Sequence, residues 1–245
     1  MAFVSRFTLH DSRVVKPLLF VACLIPLAVL IADLLGGRLG AEPIREATFR
    51  TGEWGLRLLT ATLAVTPLRR LFGWNGLVKY RRMLGLFTFS YIAIHFLIWF
   101  AVDQFFALKY ILEDIAKRPY ITVGFTGFLL MMPLAITSTA GWVRRLGKRW
   151  TRLHALIYVV ALAGIIHFTW SQKADILRPS IYAGIIVVLL VVRLLPKGLL
   201  RRYRSEPGTS GSDATGRLRV RSTASSNESR ASCSSRAGAW AAGNS

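Results

Sequence analysis

Three of the four histidines in this chain lie inside long apolar segments, at positions 95, 154 and 167. A titratable ring at membrane depth is costly, so it is retained there with a partner or a function. Imidazole is also a common axial ligand of heme iron. His95, His154 and His167 therefore predict a heme protein that carries electrons across a bilayer.

The spacing of these histidines sorts them into two levels. At 1.5 Å per residue, His95 lies roughly 18 Å beyond the start of its apolar segment near residue 83. His167 lies roughly 20 Å beyond His154, which begins its own segment. If both segments enter from the same side, His95 and His167 share a level near the outer face and could bind one iron between them. His154 then marks a second level near the inner face.

The two histidines of the later segment do not share a face of a straight helix. Thirteen residues at about 100° each leave His154 and His167 well apart around the helix axis. A bend at Gly164, three residues before His167, would let both face the same neighbour. In a straight helix only one of them would do so.

No fourth intramembrane histidine is available to face His154. At the corresponding place on the earlier segment, 13 or 14 residues before His95, the chain has Arg82 and Arg81. Guanidinium stays protonated and is a poor iron ligand, but it is a good partner for a propionate or a phosphate. Arg81 and Arg82 are therefore candidate cofactor-binding residues.

The elements that must position these side chains are apolar blocks long enough to cross about 30 Å of hydrocarbon. The chain has 245 residues, of which 53% are hydrophobic. The pattern predicts an all-α, polytopic membrane protein, a bundle of six transmembrane helices. The six spans are 17–35, 54–71, 83–102, 120–138, 153–170 and 181–195.

Charge sets the predicted orientation of this bundle in the membrane. A net charge of +20 could suit nucleic acid, but the basic residues cluster at the ends of apolar blocks, so we expect a lipid bilayer and no nucleic acid as partner. The second and fourth loops are basic and acid-free; they contain Arg69, Arg70, Lys79, Arg81 and Arg82, then Arg144, Arg145, Lys148, Arg149 and Arg152. The positive-inside rule then places both loops and both termini in the cytoplasm.

Composition divides the chain into three parts. Residues 1–16 form a cytoplasmic N-terminal segment, and residues 17–200 form the six-helix, heme-binding transmembrane domain. From 201 to 245, Ser, Gly, Ala, Thr and Arg dominate, and such a segment cannot bury enough apolar surface to order itself. We predict a disordered, basic cytoplasmic tail.

Short motifs around the histidines resemble the MsrQ (YedZ) family of heme-binding membrane subunits of methionine sulfoxide reductase systems. These motifs are Arg81-Arg82-Met83-Leu84-Gly85-Leu86, Tyr91-x-x-x-His95, Trp150-x-x-Leu153-His154-x-Leu156-x-Tyr158 and His167-Phe168-x-Trp170. The resemblance covers about residues 15–200. More distantly, the chain is similar to the transmembrane domain of ferric reductases and NADPH oxidases, in which two histidine pairs on the third and fifth helices hold two stacked b-hemes.

The resemblance implies a ferric reductase-like bundle that binds heme b, with His95 and His167 as the outer pair and His154 at the inner site. It implies electron flow from the quinone pool or a cytosolic flavin reductase to MsrP, a periplasmic molybdopterin reductase that repairs oxidised methionines. FMN has also been associated with the family. The chain would be an electron-transfer subunit and not the catalytic one. The missing fourth histidine leaves the number of hemes, one or two, open.

Two other functions are compatible with the same residues. Buried histidines can relay protons, so His154 and His167 could serve a small transporter or proton-conducting protein. A ferric reductase acting on chelated iron is the third alternative. A reduced-minus-oxidised optical spectrum separates the heme readings from the proton relay.

Overall fold

A computed structural model gives the structure of residues 12–172 and 176–194. The predicted tail, residues 201–245, lies outside the described residues, as do residues 1–11 of the predicted N-terminal segment. All regular elements in the described part are helical. The predicted all-α class is confirmed.

Nine α-helices follow one another in the described residues. They are α1 Ser12–Leu35, α2 Pro43–Phe72, α3 Arg81–Leu97, α4 Leu108–Lys117, α5 Pro119–Ile136, α6 Ala140–Leu146, α7 Lys148–Leu153, α8 Ile157–Ser171 and α9 Leu177–Leu194. A π-helical turn, Ile98–Asp103, extends α3. A 3-10 turn, Asn75–Lys79, precedes α3, and another, His154–Leu156, joins α7 to α8.

Four helical segments are long and apolar enough to cross a membrane. They are Val14–Leu35, Arg81–Asp103, Pro119–Ile136 and Lys148–Ser171. They coincide with the predicted first, third, fourth and fifth spans. Helices α2 and α9 cover the predicted second and sixth spans, and the count of six stays a prediction.

Helix α2 begins well before the predicted start of its span, because its early charges are paired. Pro43 occupies the first helical turn, where its missing N–H costs nothing. The Arg50 guanidinium donates to Glu46 Oε1 at 2.7 Å and to Asp33 Oδ2 of α1 at 2.8 Å. These pairs let a polar segment continue as helix and fix α1 against α2.

Deeper in α2, the charge of Arg57 is also neutralised by neighbours. Its Nη2 lies 2.7 Å from Glu53 Oε1, its Nε donates to Tyr182 Oη at 3.0 Å, and its guanidinium lies 4.6 Å from the ring centre of Trp54. Paired and hydrogen-bonded charge is the form in which a guanidinium is tolerated in an apolar setting. The same bonds tie α2 to α9.

Packing divides the bundle into two extensive helix pairs, α2 with α3 and α5 with α8. Helix α3 also contacts α5, and α9 contacts both α2 and α8. The largest buried cluster joins Leu59 and Leu63 of α2 to Ala161 of α8 and Ile186 of α9. Helix α2 thus lies at the centre of the bundle.

The backbone at Gly164 has no irregular turn. Helix α8 continues through it, and an added Cβ there would lie 3.8 Å from Leu56 Cδ1, an ordinary contact distance. The irregular backbone lies instead at the 3-10 turn His154–Leu156. A 3-10 turn rotates each residue further around the helix axis than an α-helix does. It therefore changes the direction in which the His154 side chain points relative to that of His167.

Candidate functional site

The structure brings the rings of His95 of α3 and His167 of α8 close together in the bundle. Their ring centres are 6.0 Å apart and their planes are inclined at 84°. Two imidazoles on opposite sides of one metal ion, each with a metal–nitrogen bond of about 2 Å, would place their ring centres about 6 Å apart. The pair has the separation that a shared iron requires.

A backbone carbonyl fixes the proton on each ring. His95 Nδ1 donates to the Thr48 carbonyl oxygen at 2.8 Å, and His167 Nδ1 donates to the Tyr120 carbonyl oxygen at 2.7 Å. A carbonyl can only accept, so Nδ1 of each ring carries the hydrogen and Nε2 has a free lone pair. Metal-binding histidines are commonly held in this way by a second group.

A glycine one turn after each carbonyl makes room for the imidazole. A Cβ on Gly52 would lie 2.9 Å from His95 Nδ1, and a Cβ on Gly124 would lie 2.5 Å from His167 Nδ1. Both distances are shorter than a normal contact, so any larger residue would displace the ring. The two glycines form notches in α2 and α5 that seat the histidines.

These contacts repeat with the same spacing in the two helix pairs. Each histidine lies 47 residues after the carbonyl to which it donates. The α2–α3 pair and the α5–α8 pair therefore contribute equivalent halves of one site. This equivalence does not extend to the inner level. His154 lies 13 residues before His167, but the residue 13 positions before His95 is Arg82 and not a histidine.

Sequence reasoning did not identify the two carbonyls or the two glycines. One signal was available: Gly52 and Gly55 recur as Gly124 and Gly127, each set at the same distance before its histidine. The carbonyls of Thr48 and Tyr120 had no signal of their own, because every residue has a carbonyl.

His154 occupies a different environment from the outer pair. Its ring stacks on Trp150 with centres 3.9 Å apart, and its Nδ1 lies 3.2 Å from the Trp150 carbonyl oxygen. Its Nε2 is buried and has no hydrogen-bond partner among the described residues. Arg81 is near enough to act on it electrostatically, whereas Arg82 is exposed. A buried nitrogen lone pair without a partner is suited to a ligand.

The residues present fit a heme. In the outer pair, two rings whose centres lie 6.0 Å apart each keep an Nε2 lone pair for a metal, and the unsatisfied His154 Nε2 is a third candidate ligand. Arg81 adds a cation suited to a propionate. His95 and His167 would hold the iron of the heme through their ring nitrogens.

Comparisons with known proteins identify relatives of this chain. A family model described as "Ferric reductase like transmembrane component" matches residues 51–165. A relative from Rhodospirillum rubrum, described as "Protein-methionine-sulfoxide reductase heme-binding subunit MsrQ", is 50% identical over 195 residues, which cover 79% of this chain and 93% of the relative. Relatives of the same description come from Herminiimonas arsenicoxydans, 50% identical over 76% of this chain and 89% of the relative, and from Xanthomonas campestris, 52% identical over 67% and 75%. No solved structure matches the chain.

Proposed function

Since the chain belongs to the MsrQ family, we propose that it is the heme-binding membrane subunit of a protein-methionine-sulfoxide reductase. Its role is to carry electrons to a partner that reduces methionine sulfoxide. The observation that carries this proposal within the structure is the histidine pair, whose ring centres lie 6.0 Å apart with both Nδ1 atoms bonded to carbonyls.

In this proposal His95 and His167 hold the iron of one heme b through their Nε2 atoms. Heme supplies reversible one-electron chemistry when it is bound. The chain sets the ligand identity and, through the two Nδ1 hydrogen bonds, the orientation of both rings. No nucleophile or acid–base pair is needed for this role, so the chain acts as an electron-transfer subunit.

The inner level is where we propose that electrons enter. His154, with its buried Nε2, is the candidate ligand there, and Arg81 and Arg82 are candidate partners for propionate or phosphate groups. A second heme at this level would have one histidine ligand instead of two. Binding of FMN at the same face is the other form of this proposal.

The proposed donor is the quinone pool or a cytosolic flavin reductase, and the proposed acceptor is the periplasmic reductase MsrP. This order follows from the positive-inside prediction, which places the basic loops and both termini in the cytoplasm of a bacterium with the chain in its inner membrane. The outer histidine pair then lies toward the side of the acceptor.

A proton relay is less well supported by the geometry. A relaying imidazole must exchange protons at both nitrogens, but both Nδ1 hydrogens of the outer pair are bonded to carbonyls that cannot pass them on. Reduction of chelated iron uses the same heme and differs only in the acceptor. Ferric reductase activity on chelated iron is therefore the second candidate function.

The experiment measures iron and flavin per polypeptide in the purified protein, together with a reduced-minus-oxidised spectrum. We expect a b-type spectrum with at least one iron per chain, followed by re-oxidation when MsrP and methionine sulfoxide are added. Re-oxidation by ferric chelates but not by MsrP would favour the second candidate. A colourless, folded protein would contradict both.

A further inference from the structure

Two buried side-chain nitrogens in the described residues lack a hydrogen-bond partner: His154 Nε2 and Arg193 Nη1. The proposed function accounts for the first. It makes no use of Arg193, which lies in the last turn of α9. A buried guanidinium nitrogen without an acceptor is costly, so its presence calls for a ligand.

The position of Arg193 is defined by three neighbours. Its guanidinium carbon lies 4.7 Å from the ring centre of Tyr158, so the side chain turns inward over α8. Arg70 of α2 donates from Nη1 to the Arg193 carbonyl oxygen at 2.6 Å. Arg81, the first residue of α3, is close enough to act electrostatically on both Arg193 and His154.

This end of the bundle collects positive charge without acids. From residue 115 to residue 174 the sequence has no Asp or Glu, and none occurs from 176 to 205. The ion pairs of Arg38, Arg45, Arg50, Arg57, Lys117 and Arg118 use acids from α1, α2, α4 or Glu42, just before α2. Arg70, Arg81 and Arg193 therefore repel one another, and an anion between them would relieve the repulsion.

A basic residue near the end of a membrane helix ordinarily extends toward the lipid headgroups. Arg193 does not, because its Nη1 is buried and its guanidinium stacks on Tyr158. Snorkelling therefore does not explain this side chain. The buried donor is directed into the bundle instead of toward the bilayer surface.

We propose that Arg193, with Arg70 and Arg81, forms an oxyanion-binding site at this end of the bundle. The ligand group is a phosphate or a carboxylate, since a guanidinium recognises both through charge-assisted hydrogen bonds. A lipid headgroup, a soluble phosphate ester or a heme propionate could supply that group. The site shares Arg81 with the inner level of the proposed function, and its heme-propionate form rests on that function. Its lipid and phosphate-ester forms rest on Arg193 and are tested without heme.

The test compares Arg193→Gln with Arg69→Gln in the full-length protein. Arg69 lies beside Arg70 but is exposed, so both variants remove one charge from the same end and only one removes the buried donor. Three matched probe pairs distinguish the sources: FMN against riboflavin, nanodiscs containing phosphatidylglycerol against pure phosphatidylcholine, and heme against its dimethyl ester. Equilibrium binding is measured for each pair.

In at least one of the three pairs, we expect the anionic probe to bind saturably to the unmodified protein. The probe of that pair that lacks the anionic group should bind less tightly. Arg193→Gln should weaken that binding about tenfold or more, as the loss of a charged hydrogen bond predicts, and Arg69→Gln should not. Arg193→Lys should retain part of it. If Arg193→Gln does not fold, Arg81→Gln replaces it. The proposal is overturned if the tested variant and Arg69→Gln bind all three anionic probes equally well. It is also overturned if none of the three probes binds saturably to the unmodified protein.

Discussion

The proton on each imidazole determines what the histidine pair can bind. Because Nδ1 of each ring donates to a carbonyl, Nε2 of each ring has a free lone pair. Neither ring can flip without losing its hydrogen bond. We expect His95→Ala and His167→Ala each to abolish the low-spin heme spectrum, because one imidazole cannot complete a six-coordinate iron. His10→Ala is the control.

Optical spectra of the detergent-purified variants provide this measurement. Persistence of the full low-spin signal in both variants would show that other residues hold the iron. Restoration of the signal by free imidazole in His95→Gly would tie the loss to the missing ring and not to misfolding.

The angle between the two rings makes a separate prediction. The planes are nearly perpendicular, at 84°. Perpendicular axial imidazoles keep the two iron orbitals that they contact close in energy, so the ferric protein should give a strongly anisotropic low-spin EPR spectrum dominated by one feature at large g. Three well-resolved features of a rhombic spectrum would show that the rings turn toward parallel when iron binds.

Helix surfaces, and not only side chains, hold the histidines in place. A Cβ on Gly52 would force the His95 ring to move roughly 0.5 Å, and a Cβ on Gly124 would force the His167 ring to move roughly 1 Å, to reach normal contact. We expect Gly52→Ala to lower heme retention and shift its midpoint potential, and Gly124→Ala to do so more strongly.

Gly55→Ala is the matched control for this prediction. Its Cβ would lie 2.8 Å from Ile92 Cγ1, so it strains the same α2–α3 interface without touching an imidazole. It should reduce thermal stability and leave the heme potential unchanged. Equal potential shifts in Gly55→Ala and Gly52→Ala would mean that the glycine serves helix packing alone.

Tyr91 shows how α1 is attached to the helix that carries His95. Its hydroxyl donates to the Cys23 carbonyl at 2.8 Å and accepts from Leu27 N–H at 3.1 Å, so it lies inside a backbone hydrogen bond of α1. Tyr91→Phe would remove both bonds. Because Leu27 N–H and the Cys23 carbonyl can then bond to each other, we expect a cost of about 0.5–1.5 kcal/mol of unfolding free energy.

Thermal or denaturant unfolding in detergent measures this cost, with heme absorbance recorded in parallel. The low-spin spectrum should survive, because the Tyr91 hydroxyl bonds to the α1 backbone and not to an imidazole nitrogen. Loss of heme without loss of stability would instead place Tyr91 in the site.

The sequence predicted the apolar helices well and their polar ends poorly. Hydrophobic length located the helices around His95 and His167, and helical rise placed both rings at one level. The early turns of α2 were missed because Glu46 and Arg50 resemble a loop until their pairing is seen. Helix α4 was missed because its ten residues are too short for a span and were assigned to a loop.

For the candidate site, side-chain chemistry was predictable and backbone contacts were not. The three histidines stood out because a polar ring in an apolar segment is rare. The position of the irregular turn, at His154–Leu156 instead of Gly164, depends on the stacking of Trp150 on His154 and on contacts with α5. Such tertiary contacts leave no local pattern in the sequence.

At the scale of the molecule, the proposed direction of electron flow requires the acid-free arginines and helix α4 to lie on opposite sides of the membrane. Lys109 of α4 and Lys148 at the start of α7 are both exposed, so each can carry a reporter cysteine. In a background with Cys23 and Cys233 replaced by alanine, we expect Lys109→Cys in intact spheroplasts to react fully with a membrane-impermeant maleimide. Lys148→Cys should react only after lysis, because the positive-inside rule places its loop in the cytoplasm. The reverse labelling pattern would turn the bundle over, leaving the outer histidine pair on the cytoplasmic side and the proposed route to a periplasmic acceptor without a physical basis.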